Sequence, residues 1–481
     1  MRFLVLCLLS FVLPVLAAPT GLSPSGGETV ALLTDVQRTY LYEMGWSDRS
    51  KIMSKKATLS GFSGTTFDGG SPVTLAWTGG KGTCSVEVRK IAGDDLRTVA
   101  ASATALGGAV AEAATVRGGT VAEAATVREG TVVWTGTTSG TSVSVVNLEL
   151  DADYEWTVTD SSGTSAPAKF HTAGEPPRLI KSGEMRVMRD LGGWTGLEGR
   201  KVRQNRLFRG GPAESDYKQK PNKSLVDDAA RDFFYNLVGL RTEVDMRYST
   251  GSNAQTGSYP KFDMTGTVVN YLNLYVYWSG LYYADDTSAE GRNWGEILKA
   301  VIDPEARPLY FHCSAGRDRT GLIAGLTLAL LGVGEDDIMR DYQATCYLDG
   351  QNGTDGFRKN LFTTIAGFSD RSRSLAENTA AYFMSFGITA EQIEAFRKDM
   401  LIGYGEPEWR IVEPVYVTAT RTRIVSGRCV EAQYRGFLTK RGLEYAWGKD
   451  GEPATEWVES DGTPMELEKP EEDEKWELLV R

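Results

Sequence analysis

Hydrophobic and polar positions alternate with a period of two along residues 56–173. Val73 to Trp77, Cys84 to Arg89, Thr141 to Val146 and Tyr154 to Val158 are rich in Val, Thr and aromatics, and Gly, Ser and Asp separate them. Successive side chains on a strand point to opposite faces, so these runs predict short antiparallel strands of an all-β sandwich. Ahead of them, residues 18–55 hold one short amphipathic segment, Val30 to Met44. Past Gly174-Glu175-Pro176-Pro177, which reads as a linker, the pattern changes. Strand-like runs (Gly239 to Met246, Val268 to Leu274, Leu309 to His312) alternate with helix-like ones (Val226 to Asn236, Trp294 to Val301, Gly321 to Val333). That order predicts an α/β domain over residues 178–405, with a central, largely parallel sheet flanked by helices. Residues 406–481 then predict a small β-rich module, from Val415 to Thr420, Cys429 to Tyr434 and Tyr445 to Gly448, with an acidic tail.

Two segments stand outside this alternation. Residues 1–17 read as a signal peptide: Arg2 is the basic start, Phe3 to Leu16 the apolar stretch, and Val15-Leu16-Ala17 the small-residue cleavage site. The apolar stretch is shorter than the ~20 residues that span a bilayer, and no other stretch is long enough. The expectation is an exported protein, periplasmic or extracellular, with no transmembrane span. Within the sandwich, Val110 to Thr120 repeats as Val121 to Thr131 with one difference, Gly118 against Glu129. Two copies are too few for a solenoid, so the repeat reads as a tandem duplication in a surface loop.

Composition narrows the function. The 481 residues fit about three domains at roughly 150 each. A net charge of −11 argues against nucleic acid as a partner. Beyond Cys7 in the leader, Cys84, Cys313, Cys346 and Cys429 are scattered and indicate no disulfide framework. Cys346 reads as a core thiol or, alternatively, as a reversible disulfide partner of Cys313. With His171 and His312 the only histidines, a zinc site of Cys and His is not expected, nor is any other metal or cofactor.

The chemistry concentrates in His312-Cys313-Ser314-Ala315-Gly316-Arg317-Asp318-Arg319-Thr320-Gly321. The flanking apolar runs predict strand, tight loop, helix. Such a loop can turn successive N–H groups inward above a helix N-terminus, a cradle for a tetrahedral dianion. The phosphate-binding residues would be Ser314, Ala315, Gly316, Arg317 and Thr320. Arg319 would add a two-pronged cationic donor, and Cys313 would lie beneath the phosphorus. A free thiol, pKa about 8.5, is only a few per cent thiolate at neutrality. Inward N–H groups and a helix terminus lower that value to roughly 3.5–7.5, so one device binds the anion and activates the nucleophile. A buried core cysteine is the plainer reading, but Gly, two Arg and an Asp crowd where a core needs apolar side chains.

His-Cys-x5-Arg-Thr-Gly resembles the signature loop of the cysteine-based protein tyrosine phosphatase superfamily. Arg189-Asp190-Leu191-Gly192-Gly193, Arg206 to Gly211, Asp245-Met246-Arg247 and Asp341-Tyr342 resemble, in order, segments of its bacterial tyrosine or dual-specificity branch. Leu148 followed by Tyr154 resembles the tyrosine corner of fibronectin type III domains, for which a protein or a glycan is the expected partner. The resemblance implies catalysis by Cys313 and Arg319 through a phosphocysteine, with His312 orienting the loop and Thr320 donating to the departing sulfur, unless Thr320 is only a helix N-terminal residue. Many members carry a general acid in a Trp-Pro-Asp loop, which is absent here. Asp318, at a position where the branch also has Asp, is the first candidate, with an orienting ion pair as its other reading. Asp285 or Asp286 is the second. Arg317 stands where the branch has Lys or Gln, and would favour substrates with several phosphates if it is not simply solvated. The expected substrate is a phosphorylated protein, with an inositol phosphate or phosphoinositide next and an inactive phosphate-binding module third.

Overall fold

Apolar residues one step in two fill the core between two N-terminal sheets. Strands β1 (Thr20–Ser23), β3 (Val73–Thr78) and β6 (Ser142–Val145) form one sheet. Strands β2 (Glu28–Val30), β9 (Ala168–Thr172), β7 (Ala152–Asp160), β4 (Cys84–Gly93) and β5 (Val132–Thr138) form the other, and β8 (Gly163–Thr164) pairs with β7. Val73, Leu75 and Trp77 from the first meet Val86, Val88, Tyr154, Trp156 and Phe170 from the second. All described pairings are antiparallel except β2 with β9. The Tyr154 hydroxyl accepts from the Glu149 N–H at 2.9 Å, closing the chain back on itself before β7.

This computed structural model describes residues 18–45, 47, 49, 69–93, 130–213, 225–248, 270–277, 280–349, 354–405, 410–417, 424–425, 428–429, 444–449, 452–459, 466–467 and 474–480. The leader 1–17 lies outside the described residues, as does the duplication 110–131 apart from its last two positions. Chain contacts divide the molecule into two units, with the boundary after Tyr404.

The second sheet system of the first unit runs β10 (Arg178–Leu179), β11 (Arg189–Asp190), β12 (Leu207–Gly210), β15 (Leu309–His312), β13 (Thr242–Asp245), β14 (Asn270–Asn273). From β12 to β14 the strands are parallel, and β10 and β11 add an antiparallel edge. Alternation again sorts the faces. Leu207, Val244, Leu309 and Phe311 join one core with Trp294, Ile297 and Leu298 of helix α3, and Phe208 and Tyr310 join another with Phe233 and Phe234. The register places His312 level with both Gly210 and Asp245, so neighbouring parallel strands end together. Open α/β sheets present their ligand crevice beyond such carboxyl ends.

Helices α1 (Asp35–Arg38), α2 (Asp228–Arg231), α3 (Ala289–Ile302), α4 (Asp318–Leu330), α5 (Glu335–Asp349), α6 (Leu375–Ser385) and α7 (Ala390–Met400) are set by local signals. Thr34, Asp227, Ser288, Ser374 and Thr389 each cap a helix by accepting a backbone N–H. Two of these starts precede the sequence expectation. Helix α3 begins at Ala289 because Ser288 caps Gly291 at 3.0 Å, ahead of the first apolar turn. Helix α4 begins at Asp318, so the Asp-Arg-Thr of the loop motif is already helical.

The segment before the sandwich core has a specific task in this unit. Leu33, Tyr40 and Leu41 pack on Leu179, Val187 and Ala344. The Tyr40 hydroxyl donates to the Gln343 carbonyl at 3.2 Å, Arg49 donates to the Gln343 side chain, and Arg340 donates back to the Leu41 carbonyl at 3.1 Å. Arg178 ties the sandwich on by donating to the Leu148 carbonyl at 2.9 Å and to Asp190 at 3.0 Å. The amphipathic stretch read in the sequence thus covers the back of helix α5.

The second unit carries a sheet of Arg410–Val417, Glu474–Val480, Glu444–Lys449 and Glu452–Pro453, with Val458–Glu459 paired to Glu444–Lys449. Among its described residues, Tyr445, Ala446, Trp447 and Leu479 are buried apolar side chains.

Leu41 is wholly buried in the cluster that joins the N-terminal segment to α5. Leu41→Ala is expected to lower unfolding free energy by about 2–5 kcal/mol, read from urea denaturation. A chain starting at residue 178 should show a similar or larger loss.

Candidate active site

The residue order of the loop builds its geometry. Strand β15 delivers His312 and Cys313 at the sheet's carboxyl edge, and α4 departs five residues later. The chain reverses between them at Gly316, where φ is +65°. A Cβ there would stand 2.4 Å from the Gly210 carbonyl oxygen, so both the conformation and the close approach to β12 require glycine. Cys313 is 3% exposed, at the floor.

Arg319, in the first turn of α4, is held from outside the loop. Its Nη1 donates to the Met246 carbonyl at 2.7 Å and the Val276 carbonyl at 3.4 Å, and its Nη2 to the Ser314 hydroxyl at 3.3 Å. Met246 follows β13 and Val276 follows β14, so three strand ends fix one guanidinium. Burial pushes the Cys313 thiol up. The Arg319 cation, the Thr320 hydroxyl and N–H and the Ala315 N–H outweigh that and hold it below its ordinary value. Thr320 is fully buried, and its side chain is one of the groups that lower the Cys313 thiol.

His312 is wholly buried. Its Nε2 meets Glu243 Oε1 at 2.8 Å, its Nδ1 lies 3.8 Å from Asp245 Oδ1, and its ring stacks on Tyr310 at 5.0 Å. Burial pushes the Glu243 carboxyl up. Asp245 is also driven up by burial, but His312 and the clamp of Arg247 overcome this and hold it at about 2. The arrangement orients the imidazole and leaves it no evident path to a substrate.

The acid candidates separate in kind. Asp318 sits at the start of α4, accepting from Arg317 Nε at 3.1 Å and Nη2 at 2.9 Å, and from the Tyr342 hydroxyl at 3.1 Å. Arg317 is therefore the partner of Asp318. Asp286 instead caps Ser288 through its N–H at 2.8 Å, and its carboxyl is held below the usual range by hydrogen bonds from Ser288. Asp285 is exposed. No described hydrogen bond or ion pair joins Asp285 or Asp286 to the loop at Cys313–Arg319. The side chain of Cys346 lies outside the described residues.

Several neighbours of the loop were missed as such. Glu243 and Asp245 hold His312. Arg209 donates to the Gly316 carbonyl at 2.8 Å and pairs with Asp341. The motifs around Arg209, Asp245 and Asp341 were visible, but nothing local says what each touches. Among the described residues no cluster of three or more His, Cys, Asp or Glu could hold a metal ion, and no helix is long and apolar enough to cross a membrane.

Alkylation of Cys313 by iodoacetamide should persist well below the ordinary thiol range near 8.5. Thr320→Val should move that pH profile upward, because the hydroxyl favours the thiolate. A thiol held low adds stability that is complete above its unfolded pKa and lost as pH falls through its folded one. The stability gap between wild type and Cys313→Ser should therefore widen as pH rises between those values. A gap independent of pH would contradict the thiolate assignment.

Comparison with known proteins fits this geometry. Residues 183–402 match the model of the tyrosine phosphatase family. A Cupriavidus necator protein described as a "putative tyrosine-protein phosphatase" is 30% identical over 172 residues, covering 32% of this chain and 58% of that protein. The tyrosine-protein phosphatase of Nostoc commune is 40% identical over 57 residues, 12% of this chain and 19% of that one. The chain thus spans less than two thirds of the length of either relative. The crystal structure of P. aeruginosa TpbA aligns over 41% of this chain and 86% of that one at 17% identity, with a TM-score of 0.16, too low to argue from. Over residues 183–402, what this chain is similar to is the tyrosine phosphatase family.

Proposed function

We propose that the chain hydrolyses phosphomonoesters through a phosphocysteine at Cys313, with phosphotyrosine or dual-specificity protein substrates. The observation that carries the reading is a buried sulfur held below its ordinary pKa, beside a guanidinium fixed by carbonyls of two neighbouring strand ends. The thiolate attacks phosphorus in line, the P–O bond to the leaving group breaks, and Arg319 with the loop N–H groups holds the equatorial oxygens. Water then attacks the phosphocysteine, sulfur leaves as thiolate with the Thr320 hydroxyl facing it, and inorganic phosphate is released.

Asp318 is the proposed proton donor to the leaving oxygen and acceptor from the attacking water. Its carboxylate is clamped by Arg317, so donation requires that clamp to open. A dianionic substrate, competing for Arg317, supplies the means. The same pairing bears on substrate class. The Arg317 cation faces the Asp318 carboxylate. A rim cation matched by a carboxylate suits one phosphate group better than the several of an inositol polyphosphate. Export through the leader at 1–17, and a fibronectin type III-like role of the sandwich in meeting a protein or glycan, belong to the same proposal.

Wild-type protein should convert p-nitrophenyl phosphate, and Cys313→Ser should lower kcat by on the order of 10⁴-fold or more. Absence of turnover by the wild type would leave a phosphate-binding module. Parallel assays with a phosphotyrosine peptide, phytate and a phosphoinositide should favour the peptide; preference for phytate would reverse the substrate assignment. Asp318→Asn should slow alkyl phosphates by roughly 10²–10⁴ while leaving good aryl leaving groups much less affected. Equal slowing of both would remove Asp318 from the acid role, and a greater defect in Asp286→Asn would move the role there.

A further inference from the structure

Three motifs seen in the sequence have no task in the chemistry above: Arg189, Arg209 and Asp341-Tyr342. The fold gathers them beneath the phosphate loop. Asp341, on α5, takes Arg189 Nε at 2.6 Å and Arg209 Nη1 on its two carboxylate oxygens. Arg189 also donates to the Asp341 carbonyl and the Thr345 hydroxyl, both at 2.7 Å. Arg189 and Arg209 have no exposed surface at all. The remaining donor of Arg209, Nη2, reaches the Gly316 carbonyl at 2.8 Å. Tyr342, next to Asp341, lays its ring against Gly321 and donates its hydroxyl to Asp318.

As a purely structural element this cluster is poorly made. Two guanidiniums share one carboxylate, which leaves a positive charge in excess in a place without water. The Arg209 Nε is buried with no partner among the described residues. Apolar side chains of similar size would cost less there. Burial and Arg189 push the Arg209 guanidinium down to about 10, while Asp341 acts to raise it. The groups that Arg209 contacts are the Asp341 carboxylate and the Gly316 carbonyl.

We infer that Arg209, held by Asp341, is a positioning residue for the phosphate loop: it anchors the Gly316 peptide from behind. In a trans peptide the following N–H points opposite to the carbonyl. Pinning the Gly316 oxygen to Arg209 therefore turns the Arg317 N–H away from Arg209, toward the anion. One guanidinium thereby sets the shape of the donor ring above the sulfur. The inference rests on Cys313 being the nucleophile.

The test compares Arg209→Lys and Arg209→Met with Arg178→Lys, which alters a buried Arg–Asp pair of the same unit that does not touch the loop. Three readouts are taken below each variant's melting midpoint: kcat/KM on p-nitrophenyl phosphate, inhibition by vanadate, and the pH profile of Cys313 alkylation. Arg209→Lys keeps a charge but cannot span Asp341 and Gly316 together. It should lose about 10–100-fold in kcat/KM and in vanadate affinity while its alkylation profile stays near wild type. Arg209→Met should lose at least as much in both. Arg178→Lys should lose stability and move none of the three. Wild-type kcat/KM and vanadate affinity in folded Arg209→Lys would overturn the inference, as would equal losses in Arg178→Lys. Arg209→Met can fail to fold, so the decision rests on the lysine variant. If the wild type itself turned over no substrate, the proposed activity would fail, yet vanadate binding and alkylation would still judge the role of Arg209.

Discussion

A thiol held below its ordinary pKa at 3% exposure is a demand on everything around it. Taking a lone anion out of water is so costly that an isolated thiol would simply keep its proton. The fold answers with fixed dipoles and cations brought from separate elements: the first turn of α4, the Arg319 guanidinium and the Thr320 hydroxyl. None of these could act alone. Arg319 is aimed by carbonyls that follow β13 and β14, and those strands end at the right level only because β12, β15 and β13 share one register. The parallel sheet is therefore part of the electrostatics of the sulfur.

Four of the arginines around the loop are met by carboxylates. Asp341 meets Arg189 and Arg209, Asp245 meets Arg247, and Asp318 meets Arg317. Pairing of this kind lets many arginines be buried or half-buried without a large local field of one sign. Arg319 is held in another way, by the Met246 and Val276 carbonyls and the Ser314 hydroxyl.

The loop from His312 to Gly321 was legible because its chemistry is local, with nucleophile, turn glycine and arginine lying within one span of chain. Strands such as Val73–Thr78 and Leu309–His312 were legible because alternation or a short apolar run reports burial directly. What hid was contact between distant residues. Glu243 reads as an ordinary polar position in a strand, and only the pairing of β13 with β15 brings it to His312 at 2.8 Å. Arg209 and Asp341 lie 132 positions apart, and no period or composition links them. Strands β10 and β11 have two residues each, too short for any period. The helix expected over Val226 to Asn236 begins at Asp228 and widens into a π-helical turn from Asp232 to Leu237, a change of winding that apolar spacing does not report.

The contact between Tyr40 and Gln343 joins residues 303 positions apart. A ribosome adding ~5–20 residues per second takes roughly 15–60 s to bridge that interval. Throughout it, the apolar face of Leu33, Tyr40 and Leu41 has been synthesised while Ala344, part of its cover, has not. This early-made segment is thus among the last to be completed. For that time it presents uncovered leucine and tyrosine to whatever handles nascent chains.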